Sequence, residues 1–136
     1  MTEASVHTEQ RDITGRLATS VGLTRIVFGA AFVVAPRQTA GPWVGAGVET
    51  AGARLLTRSM GVRDLLLGVG LLRSLSAHDN PAASQWLAYG SAAGLVDAAA
   101  TAVAFRDLPR TGRAFLAFIV GALVVDGLLA RKLSNH

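Results

Sequence analysis

The chain has 136 residues, enough for one domain. Hydrophobic residues make up 51% of it and charged residues 16%, against about 25% charged in an ordinary soluble domain, and the absence of cysteine excludes disulfides, thiolate metal ligands and cysteine nucleophiles. The formal net charge is +4, but the basic excess is scattered, so it describes no nucleic-acid surface and suits contact with the anionic headgroups of a lipid bilayer.

Residues 1–15 are polar and of mixed charge, and read as an N-terminal tail. They lack the basic, apolar and small-residue succession of a cleavable signal peptide, so the first apolar run is expected to stay in the mature protein. A domain over 16–133 follows, with apolar segments at about 17–36 (LATSVGLTRIVFGAAFVVAP), 54–72 (RLLTRSMGVRDLLLGVGLL), 84–105 (SQWLAYGSAAGLVDAAATAVAF) and 114–130 (AFLAFIVGALVVDGLLA). Each is near the ~20 residues that cross a bilayer as a helix. A helix of a soluble bundle carries polar residues along one side. Here the third segment holds only Asp97 as a charge, and the fourth only Asp126. The pattern predicts an all-α fold, a four-transmembrane-helix bundle, multi-pass in the cell membrane, with both ends on one side.

Polar punctuation separates the segments. PRQTAGPWVGAGVETAG holds two prolines and several glycines, and Trp43 within it reads as an interface residue of a turn. RSLSAHDNPAAS and RDLPRTGR are turns. Arginines, Trp86 and Tyr89 gather near the segment ends, where interfacial anchors belong. The basic residues divide almost evenly between the two sides, so positive-inside bias does not set an orientation.

Besides Arg54 and Arg58, which lie near the start of the second run and can snorkel, five charges fall within the apolar runs: Arg25, Arg63, Asp64, Asp97 and Asp126. Each costs about 2.5–3.5 kcal/mol at the centre of a membrane helix. Arg63 and Asp64 point about 100° apart as helix neighbours, so each is expected to find its partner on another helix. Small residues share faces with these charges: Gly22 and Gly29 with Arg25, Gly61 and Gly68 with Asp64, Gly90 and Gly94 with Asp97. Such residues permit close helix approach, which puts the charges on packing faces. Three aspartates against two arginines leave one carboxyl in excess.

His7, His78 and His136 show no ligand spacing, and no metal site is expected. No nucleophile elbow, catalytic triad or phosphate-binding glycine loop is present, and no cofactor is read from the sequence.

The runs FVVAPRQTAGPWVG, RSMGVRDLLLGVGLL and QWLAYGSAAGLVDAAA resemble the small four-helix integral membrane proteins of unknown function found in actinobacteria. The resemblance covers most of residues 20–105, through Ala35, Pro36, Arg58, Gly61, Arg63, Asp64, Gly68, Trp86 and Asp97. DoxX-like four-helix membrane proteins share the outline more distantly. The resemblance implies a fold and a polar core, and no reaction.

Three functions are compatible with these features. The first is a membrane protein whose Arg/Asp core binds a lipophilic small molecule, or which serves as a subunit of a homo-oligomer or larger membrane complex. The second is a small membrane enzyme in which Asp97 and Asp126 are catalytic, doing acid–base chemistry on an isoprenoid- or quinone-like substrate. The third is a proton-coupled exporter. Small four-helix exporters place a carboxylate near the start of the first helix, where this chain has Arg25.

Overall fold

In the computed structural model, which describes residues 3–134, the backbone breaks wherever local chemistry forbids a helix. Helix α1 (Glu3–Val34) takes in both the polar leading stretch and the first apolar segment. It stops at Ala35, held out of the helical region ahead of Pro36, which opens α2 (Pro36–Val44). Gly45, at a φ of 67°, ends α2 and starts a short 3-10 turn over Gly45–Glu49. Thr50 then caps α3 (Ala51–Ser76), its hydroxyl accepting from the Ala53 amide at 3.1 Å. Asp79 does the same for α4 (Asn80–Val103), accepting from the Ala82 amide at 3.0 Å. Helix α5 (Arg110–Ser134) follows Pro109. The segment expected as a loop between the first two spans is therefore largely helical, because Pro36 and Thr50 supply helix starts at its two ends.

The described residues are all-helical, with no strand. Two stretches, Asp12–Val34 and Arg110–Ser134, are long and apolar enough to cross a membrane. Helix α3 is less apolar, carrying Arg54, Arg58, Arg63, Asp64 and Arg73. Helix α4 is built largely of alanine and other small residues, interrupted by Asn80, Gln85 and Asp97.

Two helix pairs make the bundle. Helix α1 lies on α3, and α4 lies on α5, while α1 and α5 touch little. Glycine makes the first pairing possible. A Cβ on Gly61 would stand 2.6 Å from the Gly29 carbonyl oxygen, and one on Gly68 2.7 Å from that of Gly22. The two helices thus meet backbone to backbone at two levels, seven residues apart along each. The most tightly buried cluster, including Ala18, Leu71, Leu87 and Leu129, closes the end of the bundle that carries the chain termini.

Large apolar side chains point outward from all four long helices. Val27, Leu56, Leu66, Leu95, Val96 and Leu128 are exposed. The hydroxyls of Thr57, Ser74 and Thr101 are satisfied within their own helices, donating to the carbonyl four residues earlier. Along the long helices large apolar side chains face outward while Arg25, Arg63, Asp64, Asp97 and Asp126 face in, the reverse of an ordinary water-soluble helix bundle.

Candidate functional site

Arg25, Arg63, Asp64, Asp97 and Asp126, contributed by all four long helices, meet in one chain of ion pairs. Arg25 on α1 holds Asp126 on α5 through Nη2, and its Nη1 stands 3.7 Å from Asp64 Oδ1 on α3. Arg63 on α3 grips Asp97 on α4 with both terminal nitrogens, at 3.1 and 2.7 Å. The same guanidinium donates from Nε and Nη2 to Asp64 Oδ1, at 3.3 and 3.2 Å. The order in space is Asp126, Arg25, Asp64, Arg63, Asp97.

Arg63 and Asp64 each have a partner on another helix, as their helical positions demand. Arg63 and Asp64 also touch each other, which the angle between their Cβ directions argues against. The arginine side chain is long enough to curl back and carry its donors to the neighbouring carboxylate. Asp126 is the most buried of the five, at 2% exposure, and lies deeper in the protein than Asp97. Bare backbone at Gly90 makes room for Arg25: a Cβ there would lie 2.8 Å from the guanidinium carbon and 3.1 Å from Asp126 Oδ2.

The network lies against a cavity of about 530 Å³ that follows the open seam between α1 and α5. Its walls are mostly apolar, from Leu17, Val21 and Phe32 on α1 and Ile119, Ala122 and Leu123 on α5, with Met60 from α3. A row of rings runs along it. Phe28 lies 6.2 Å from Phe118, Phe118 5.4 Å from Phe115, and Phe115 is stacked on Trp43 at 5.2 Å, centroid to centroid. Phe28 and Phe118 are partly exposed, so the seam is open sideways.

Helix α2 closes one end. The Thr111 hydroxyl donates to the Pro42 carbonyl at 2.6 Å, and the Gly112 backbone presses on the Trp43 carbonyl. Trp43 is thereby a half-buried cavity residue in a helix and not in a turn. The aromatic row escaped the sequence reading, although its signal was present. Phe115, Phe118, Ala122 and Asp126 follow each other at three- and four-residue steps, the spacing of one helix face.

The two acids assigned to proton chemistry, Asp97 and Asp126, are each held by an arginine. Among the described residues no group of three or more metal-ligating side chains occurs. His136 and the side chain of His7 lie outside the described residues. Against known proteins, the chain matches no family, no curated protein and no solved structure.

Proposed function

We propose that this chain is an integral membrane protein of the cell membrane, with α1, α3, α4 and α5 crossing the bilayer, and that its cavity takes a lipophilic small molecule from the lipid phase. The observation that carries this reading is the cavity itself. It is apolar along its length, polar at one place, and open sideways between two helices. Its size falls within the ~300–1,000 Å³ of small-molecule sites, and apolar walls with a few converging polar groups are the common design of such sites.

The outward-facing apolar side chains on all four helices support the membrane reading. Exposed apolar side chains in such number on every long helix mark a surface that meets lipid or a partner and not water. Helices α3 and α4 cross as members of the bundle, since their mid-helix charges Arg63, Asp64 and Asp97 are paired inside it. The resemblance to small actinobacterial four-helix membrane proteins belongs to the same reading.

Native mass spectrometry of the protein, extracted in mild detergent from its own membranes, tests it. Wild type is expected to retain a bound small molecule. Ala122→Phe, which fills the cavity from α5, is expected to fold and arrive empty. Identical spectra from the two proteins would refute the assignment.

A further inference from the structure

The cavity is lined by five ionisable groups and no others among the described residues: Arg25 from α1, Arg63 and Asp64 from α3, Asp97 from α4 and Asp126 from α5. Three carboxylates against two guanidinium groups make a formal charge of −1 when all are ionised. A surplus charge in an apolar surround is costly and is neutralised by a proton or by a cation.

The pairing shows which carboxyl is in surplus. Arg63 forks onto Asp97, and Arg25 holds Asp126. Asp64 has no arginine of its own. It shares both, at 3.2 Å from Arg63 and 3.7 Å from Arg25. The hydrogen bonds it receives all go to Oδ1, so Oδ2 stands outside them. The rings of Phe28, Phe118, Phe115 and Trp43 line the same cavity. Aromatic faces attract cations, and more strongly where water is excluded.

Resting on the reading of the cavity as a lipophilic-ligand site, we infer that its ligand is a lipophilic cation, an amphiphilic amine or onium ion, which enters in exchange for one proton on Asp64. The empty site holds Asp64 as the acid and is neutral. The cation sits between the rings and Asp64, the carboxyl proton leaves to water, and the site is neutral again. One positive charge enters and one leaves. Proton and cation compete for the same carboxylate, so raising the pH strengthens cation binding until Asp64 is ionised in the empty protein.

The test uses tetraphenylphosphonium, its near-isosteric anion tetraphenylborate, and uncharged triphenylphosphine oxide. The protein is Trp86→Phe in phosphatidylcholine nanodiscs, which leaves Trp43 as the single tryptophan, at the cavity. Binding is read from Trp43 fluorescence, and proton release from calorimetry in buffers of different ionisation enthalpy. Tetraphenylphosphonium is expected to bind saturably and more tightly than the other two, releasing close to one proton. Its Kd should fall about tenfold per pH unit over the range where Asp64 carries the proton, as one-for-one linkage requires. Asp64→Asn should abolish the proton release and the pH dependence. Cation binding without proton release, or no tighter than that of the neutral probe, overturns the inference even if Asp64→Asn fails to fold. Saturable binding of the neutral probe alone would leave the lipophilic site standing and the exchange refuted. No saturable binding by any of the three would remove both.

Discussion

Asp97 and Asp126 differ in what each leaves behind when removed. Asp126 is almost fully buried, and its loss leaves Arg25 with only the 3.7 Å contact to Asp64. Removing one partner of a buried pair costs about 3–5 kcal/mol, and Asp126→Ala is expected within that range. Asp97→Ala is expected to cost less, about 2–3 kcal/mol, because Arg63 is one-third exposed and keeps its bonds to Asp64. Reversible unfolding in mixed detergent micelles measures both. In the cycle of Arg63→Met and Asp97→Ala, the double variant should lose less stability than the two single losses together, with a coupling of about 0.5–3 kcal/mol. Strict additivity would deny the pairing. Gly90 makes a finer probe, since alanine there meets the end of a side chain and not backbone.

At the level of elements, the α1–α3 pair depends on backbone contact, and no side-chain rearrangement can restore it. Alanine at Gly61 would meet the Gly29 carbonyl oxygen at 2.6 Å and the Phe32 Cβ at 2.9 Å. Gly61→Ala is therefore expected to push the two helices apart and to lower stability by more than about 1–3 kcal/mol, the usual range for overpacking, because main chain must shift. Gly127 on α5 is the control. A Cβ there meets nothing within 4 Å. Gly127→Ala should be neutral or stabilise by up to ~1 kcal/mol, the difference in helix propensity. Thermal melts of the two variants in the same detergent decide it, and equal behaviour would contradict the packing. The α4–α5 pair is tied differently: Ser84 on α4 donates its hydroxyl to the Ala130 carbonyl on α5 at 2.9 Å.

For the whole molecule, the two tight pairs leave one seam, and that asymmetry makes the cavity. The terminal end is filled by apolar side chains, the middle by ion pairs, and the far end is capped by α2. Four crossings would put both chain ends and the α3–α4 turn on one side of the bilayer, and the 3-10 turn and the start of α5 on the other. Single cysteines at Glu9, Gly47, His78, Arg110 and Ser134, all exposed positions, test this with a membrane-impermeant thiol reagent. Positions 9, 78 and 134 should label together and 47 and 110 from the opposite face. A different grouping would refute four crossings.

The all-helical fold and the five inward-facing charges were legible in the sequence. Apolar runs of helical length separated by proline, glycine and charge leave few alternatives, and a charge in such a run has to turn inward. The glycines beside Arg25 and Asp64 marked the face on which α1 and α3 meet. Pairing was only partly legible. That Arg63 bonds Asp64 as well as Asp97 depends on how a long guanidinium side chain folds back, which Cβ geometry does not fix. Nor was burial legible: Asp126 is the most buried acid because Arg25 and Gly90 from two other helices close over it. The cavity belongs to the tertiary structure alone. It exists because α1 and α5, the first and last of the long helices, pack mainly on other partners, and contacts between segments a hundred residues apart leave no periodicity in the sequence.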